Sequence, residues 1–308
     1  MENKDAHFVS HELDQRNFNH VVANITQRLI NMGNTINGPL SEKLDILKQL
    51  TEFEFGRHIL QNNGVNGRWT HYMSYEYYQT PSSSKHPLES RLFSFGLWAS
   101  IKERLDFVQS CLQPDLRDGI ALLSVPCGVM ADLLTLDYAG LSNFQLVGID
   151  LDPDSLALAK NLARERNLSD NTSFFLEDAW NISLTRKFDK VVCLGLIPYV
   201  RDERKVLLFK ALNAALIDEG ELFVNFRTPP AHIDPHSEQN RTSVSAENLQ
   251  LNKVMSSEIL QMKNSSYCSS ASIKSMLEAS GFLNIRIHFD RECIQGVAVA
   301  EKGRSASH

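Results

Sequence analysis

The sequence predicts an α/β protein, a mostly parallel sheet flanked by helices with a helical cap in front of it. Three observations carry this. From about residue 116 to 301, short apolar runs alternate with helix-like segments of roughly 10 to 15 residues, which is the rhythm of βαβ units. The last two strand-like runs, 284–289 and 296–301, leave no room for a helix between them, so one of them runs antiparallel. Residues 1–115 read as helices and loops only, and are assigned to the cap; residues 116–308 form the α/β domain.

In the cap, Phe18, Val22, Ile25, Leu29 and Met32 recur at steps of three and four, one face of an amphipathic helix. Gly33, Gly38 and Pro39 punctuate the turn that follows, and Leu40, Leu44, Leu47 and Leu50 open a second helix running to about Leu60. The stretch from Gly64 to Pro87 reads as a loop rich in aromatics, with Trp69, Tyr72, Tyr75, Tyr77 and Tyr78. A third helix is expected from Leu88 to Cys111.

In the α/β region, strands are expected at 120–125, 144–150, 172–178, 188–195, 220–226, 284–289 and 296–301. Helices are expected at 131–139, 153–167, 202–217 and 270–280. The helix at 153 has the clearest start: Asp152 can cap it and Pro153 suits its first position.

Composition narrows the function. The chain has 308 residues, a formal net charge of −6 and a pI near 5.9. No basic stripe is visible, which disfavours nucleic acid as a partner. Cysteines 111, 127, 193, 268 and 293 are scattered and form no CxxC pair, so neither a disulfide framework nor a zinc site is expected, and a reducing cytoplasm fits. The polar N-terminus shows no signal peptide, and no apolar run approaches the roughly 18–20 residues of a membrane span.

The chemistry gathers around LLSVPCGVMADLL, residues 122–134. A dinucleotide loop needs three glycines for its turn, for the pyrophosphate and for helix packing. Here Pro126 and Met130 replace two of them and only Gly128 remains, so a pyrophosphate seat is poor; there is no GxxxxGK[ST] loop either. A ligand without phosphate needs only one close backbone approach, which Gly128 supplies. Asp150, in VGIDLDP, follows 22 residues later at the end of the second strand, where an acid accepts from both hydroxyls of a ribose. Asp178, in LEDAW, is placed to accept from an adenine amino group, with Leu151 and Trp180 flanking the purine. These residues describe a nucleoside site without phosphates, at the carboxyl ends of the strands.

In order and spacing, LLSVPCGVMADLL, VGIDLDPDSLALA, FFLEDAW, FDKVVCLGLIPYV and LIDEGELFV resemble the successive motifs of class I S-adenosylmethionine (SAM)-dependent methyltransferases. The resemblance covers about residues 115–301. It implies a Rossmann-like, doubly wound, seven-stranded sheet whose last strand is antiparallel, with SAM as cofactor. Carried over by position, Gly128 and the backbone around Cys127 face the methionine portion, Asp150 the ribose and Asp178 the adenine, while residues Leu194 to Leu196 lie near the sulfonium. The implied binding set is Pro126, Cys127, Gly128, Asp150, Leu151, Asp178, Ala179, Trp180, Leu194 and Gly195. Two departures stand out. Ser124 replaces the acid with which the family loop begins, and Asp218-Glu219-Gly220 replaces a later turn that is often Pro-Gly-Gly.

The implied reaction is in-line transfer of the sulfonium methyl to a small-molecule acceptor. Alternatives are SAM-consuming self-cyclisation of the azetidine-2-carboxylate synthase kind, transfer to protein or RNA, and non-catalytic SAM binding. The candidate catalytic groups are Tyr199, which follows the fourth strand, and Tyr72 and His71 in RWTHYMSYEYY, read as an aromatic lid with ordinary packing as its plain alternative. Arg227 is a candidate for a substrate carboxylate. His232 and His236 read as an exposed loop rather than a metal pair, and Cys127 as a small buried hydrophobe.

Overall fold

The computed structural model of the protein describes residues 18–241, 245–262 and 266–304. They divide into two compact units, 18–99 with 245–262 and 100–241 with 266–304. The division falls inside a helix rather than at residue 115, and the first unit takes in a segment from far along the chain.

The first unit is helical. It contains α1 (Phe18–Met32), α2 (Leu40–Leu50), α3 (Glu54–Asn62), α4 (Gly67–His71), α5 (Tyr77–Gln79), α6 (Pro87–Leu92) and the start of α7 (Gly96–Leu112). The stripe read in α1 buries Ile25 and Leu29. The second predicted helix is two, because the chain turns a corner after Leu50 that buries both Phe53 and Phe55. Gly56 permits the corner: a Cβ there would lie 2.2 Å from the Leu50 carbonyl oxygen. The segment expected to be a loop, 64–87, is largely helical. Asn66 caps α4 by accepting from the Trp69 N–H at 3.0 Å, and a π-turn over Tyr72–Glu76 continues into α5. Trp69, Met73 and Tyr77, each four residues apart, are buried along one side. A spacing of four drifts around an α-helix of 3.6 residues per turn, and the wider π-turn takes up that drift. The helix expected at 88–111 breaks at 93–95, where Phe93 and Phe95 both turn inward. Phe55 is the centre of this core, ringed by Trp69, Tyr72, Phe93 and Trp98.

The second unit is the doubly wound α/β domain. In chain order it has β1 (Ala121–Ser124), α8 (Ala131–Leu134), β2 (Gln145–Asp150), α9 (Pro153–Glu165), β3 (Thr172–Leu176), β4 (Phe188–Cys193), α10 (Asp202–Ala215) and β5 (Leu216–Arg227). After β5 come α11 (Ala246–Lys253), which belongs to the helical unit, then α12 (Ser270–Glu278), β6 (Phe282–Phe289) and β7 (Gln295–Lys302). The sheet order is β3-β2-β1-β4-β5-β7-β6, parallel except for β7, which is antiparallel to both its neighbours. Alternate residues of β1 feed opposite layers, which is why the strand reads as a continuous apolar run. Leu123 belongs to the buried cluster that includes Leu208, Phe209 and Leu212 of α10 and Ile273 and Leu277 of α12. Leu122 belongs to the opposite cluster, with Val108 and Leu112 of α7, Leu133 of α8 and Leu156 and Ala159 of α9.

Two local readings change. The helix expected at 131–139 stops at Leu134, where side chains from α7 and from the turn after it bond to this segment. Gln109 donates to the Ala131 carbonyl and the Thr135 hydroxyl, and Gln113 accepts from the Asp137 N–H. Asp218-Glu219-Gly220 lies within β5, as an irregularity that shifts the register against β4 between Phe188 and Lys190.

In the helical unit, the distant segment is tied in by charge. Lys43 of α2 is fully buried and pairs with Glu258 at 2.7 Å, and Glu258 also accepts from Thr35 and Asn37. Burial alone would raise the Glu258 carboxyl, but these donors outweigh it and hold it below its usual range.

Candidate functional site

The site is built where β1, β2, β4 and β5 end. The chain leaves β1 through a tight loop. Its Cys127 N–H donates to the Ile149 carbonyl at 2.8 Å, and its Gly128 N–H donates to Asp150 Oδ2 at 2.7 Å. Met130, where the family places a glycine, keeps the left-handed backbone that glycine favours, with φ of 62°. Its side chain is buried with its sulfur over Gly148 of β2. A Cβ at Gly148 would sit 2.8 Å from the Phe174 ring, 2.9 Å from Met130 Sδ and 3.0 Å from Cys127 Sγ. Gly148→Val is therefore expected to destabilise the protein by about 1–3 kcal/mol through overpacking under the loop. Urea unfolding checks this, and an unchanged midpoint would mean that the loop yields freely.

Asp150 accepts from Gly128 on one oxygen and from the Asp152 N–H, at 3.0 Å, on the other. A carboxylate has about four lone-pair sites, so each oxygen keeps capacity for a further donor. Burial pushes this carboxyl up, against the pull of those N–H groups. Leu151 beside it is 42% exposed, an apolar side chain left open at a strand end. The β3 end is joined to the β2 end by the Glu177 N–H on the Asp150 carbonyl. Asp178 Oδ1 accepts from the Trp180 N–H, and Ala179 between them is buried. One face of Trp180 is covered by Arg204, 4.2 Å from the ring centroid. The ring's plain packing role is thus partly realised.

At the β4 end, Leu194 is partly buried and the Gly195 N–H donates to Asn225 Oδ1 at 2.6 Å. Asn225, fully buried, donates to Gln295 Oε1, which also accepts from Arg104 of α7 at 3.0 Å; Gln295 in turn donates to Ser100. Tyr199 follows in a short turn and is 61% exposed. Arg227 ends β5, with its guanidinium 5.4 Å from the Tyr267 ring centroid; burial lowers its pKa, against a smaller opposing pull from Tyr267 and Tyr199. The strap carrying Tyr267 is anchored on both sides, by the Ser266 N–H on the Pro198 carbonyl and the Cys268 N–H on the Arg227 carbonyl.

Sequence reasoning missed a buried carboxylate. Asp132, in the first turn of α8, accepts from the Ser124 hydroxyl at 2.6 Å. Burial raises its carboxyl to about 6, against opposing hydrogen bonds and the charge of Arg104. With the folded value above the unfolded one, the folded state holds an extra proton between about pH 4 and 6, and stability is lost as pH rises through that window. Asp132→Asn removes this penalty. It is expected to add about 2–3 kcal/mol above pH 6 and little below pH 4. Parallel denaturation of both proteins across that range checks the sign; a variant less stable at pH 8 would refute it.

His71 and Tyr72 belong to the helical unit. His71 is buried and stacked on Tyr75, and its Nδ1 has no hydrogen-bond partner among the described residues. Burial, then the charge of Arg68, lowers its pKa to about 4. Tyr72 donates to the buried Glu89 at 2.9 Å; burial and that carboxylate raise the phenol, making it a poor base. His232 and His236 are both exposed. Among the described residues, no group of three or more His, Cys, Asp or Glu side chains is arranged to hold a metal ion, and no helix is long and apolar enough to cross a membrane.

A model described as a methyltransferase domain matches residues 122–220. Among solved structures, the chain is 30% identical to a possible exported protein from Bordetella parapertussis, over 93% of this chain and 96% of that one, with a TM-score of 0.86. It is 15% identical to magnesium protoporphyrin IX methyltransferase from Synechocystis PCC 6803 with bound SAH, over 77% and 99% of the two chains, at a TM-score of 0.51. A putative O-methyltransferase from Nostoc punctiforme PCC 73102 gives 16% identity, 82% and 74% coverage, and the same TM-score of 0.51. The last two likenesses are of fold. No curated protein matches the chain. Residues 122–220 thus form a methyltransferase domain, carried on a seven-stranded sheet with the fold of class I SAM-dependent methyltransferases. The protein is a SAM-dependent transferase, and the loop with one glycine and no phosphate cradle fits an adenosyl ligand of that kind.

Proposed function

We propose that the protein transfers the methyl group of SAM to a small-molecule acceptor carrying an anionic group. The cluster of Tyr199, Arg227 and Tyr267 at the ends of β4 and β5 carries this reading: an exposed phenol beside a partly buried guanidinium, stacked on a second phenol. In the same reading Asp150 accepts the ribose hydroxyls, Asp178 the adenine amino group, and Leu151 covers the purine. Pro126, Cys127, Gly128, Leu194 and Gly195 supply the backbone around the methionine portion, and Ala179 with Trp180 closes the adenine edge.

SAM brings an already activated methyl group, so the protein's task is alignment and exclusion of water. Arg227 orients the acceptor through its carboxylate or similar anion. Tyr199 is the acceptor-side hydroxyl, which hydrogen-bonds to the acceptor and helps orient its attacking atom, while the acceptor's proton leaves to water. The net charge of −6 supports a small acceptor over RNA. Five unbridged cysteines support a reducing, cytoplasmic setting.

The decisive experiment incubates the protein with SAM alone and then with a metabolite extract, separating nucleoside products by mass spectrometry. S-adenosylhomocysteine that appears only with extract supports the proposal, and the new methylated mass identifies the acceptor. Enzyme-dependent methylthioadenosine without any acceptor overturns it in favour of self-cyclisation. Once an acceptor is known, Tyr199→Phe is expected to lower kcat about 10- to 100-fold with SAM affinity unchanged, while Arg227→Met raises the acceptor KM. Steady-state kinetics separates the two effects.

A further inference from the structure

The family loop opens with an acid at the end of the first strand, and this chain has Ser124 there. Ser124 is buried, and its hydroxyl donates to Asp132 Oδ2 at 2.6 Å, eight residues further on. A carboxylate therefore reaches the end of β1 after all, from α8 rather than from the strand. A charge of opposite sign stands near it. Arg104 and Asp132 attract each other, and Arg104 also lies near Gly195, with Nη2 3.8 Å from where a Cβ on that glycine would be. Arg104 is partly buried, yet among the described residues its hydrogen bond goes to Gln295 and no carboxylate lies within ion-pairing distance of it. A guanidinium has five N–H donors. None of its nitrogens is both sealed from solvent and unpaired among the described residues, so the donors that Gln295 leaves over stay open to a ligand anion. The framework holding Arg104 is rigid, since Gln295 is fixed by Ser100 and Asn225, and Asn225 also fixes the Gly195 N–H.

We infer that Asp132 and Arg104 together bind the amino-acid head of SAM, Asp132 facing its ammonium and Arg104 its carboxylate, in place of the missing strand-end acid. The inference rests on the SAM-binding reading above and adds two residues to it. The head group is a zwitterion, and a separated carboxylate and guanidinium match its two charges. Ser124 keeps a role as the donor that orients Asp132.

The test is calorimetric titration of SAM, S-adenosylhomocysteine and 5′-methylthioadenosine, which lacks the head group, into wild type and variants. Asp132→Asn and Arg104→Met are each expected to weaken the two head-bearing ligands about tenfold or more, and methylthioadenosine by less than about twofold. Ser124→Asp added to Asp132→Asn returns the acid to the strand end and is expected to recover most of the loss. SAM affinity at the wild-type level in both single variants overturns the inference, as do equal losses for SAM and methylthioadenosine, which would mark a scaffold role. Should Arg104→Met not fold, Arg104→Lys, which keeps the charge but loses the planar fork, is read the same way. Wild type that binds methylthioadenosine but not SAM also overturns it. Wild type that binds neither overturns the SAM reading itself, and the inference with it.

Discussion

Asp150→Ala is expected to weaken SAM binding by about 100-fold or more while leaving the fold intact. The argument starts from the lone pairs that Asp150 keeps. Each of its oxygens accepts one backbone N–H, from Gly128 and from Asp152, and retains capacity for one ribose hydroxyl. Hydrogen bonds to a charged acceptor contribute about 1.5–3 kcal/mol each, so losing two removes roughly 3–6 kcal/mol of binding. The loop also loses the acceptor that holds the Gly128 N–H in place. Global stability should change little, because burial already disfavours this charge and the freed N–H of a partly exposed glycine can reach water. Calorimetry gives the affinity, and thermal melts with and without SAM give the second readout: the variant should melt near wild type but gain nothing from SAM. A variant that still gains wild-type stabilisation would remove Asp150 from the site.

Most of the α/β unit was legible in the sequence because the central strands β1, β2 and β4 are largely buried apolar runs and helices such as α9 and α12 start at side-chain caps. Asp152, for instance, accepts from the Asp154 and Ser155 N–H groups as its place before Pro153 suggested. The strand-end positions of Gly128, Asp150 and Asp178 followed from spacing alone, since a parallel sheet delivers every strand end to the same edge. What escaped was long-range. Asp132 looked like one acid in an amphipathic helix, and nothing local says that it turns under the loop to Ser124. Arg104 sits in an ordinary helix, and its connection to Gln295 spans 191 positions. In the helical unit, Gly, Pro and Ser at the flanks of 64–87 suggested a loop and hid the spacing of four in Trp69, Met73 and Tyr77. The turn at 254–259 was readable in principle, because Leu251, Val254, Met255, Glu258 and Ile259 recur at helical steps and are all buried. A glutamate inside that stripe obscured it, and its partner Lys43 lies more than two hundred positions away.

That glutamate gives the largest stability effect expected in the molecule. Lys43 has no exposure to solvent, and Glu258 is the carboxylate beside it, at 2.7 Å. Glu258→Ala leaves the ammonium in the core with only neutral acceptors, the Gly33 carbonyl and the Thr35 hydroxyl. It also strips Thr35 and Asn37 of the acceptor that organises the turn between α1 and α2. Removing one partner of a buried pair costs about 3–5 kcal/mol, a large share of a typical domain's total stability. Replacing both is a different matter, since well-packed apolar groups of similar size make good the desolvation that the pair never fully recovers. Lys43→Met combined with Glu258→Leu is therefore expected to regain most of the loss, less the contribution of the Thr35 and Asn37 bonds. Chemical denaturation of the two single variants and the double variant forms a cycle whose coupling term should exceed about 2 kcal/mol. Additive losses, with no coupling, would mean that water or a shifted side chain compensates each charge separately. The pair would then be a marker of where the distant segment docks within its unit rather than the force that holds it there.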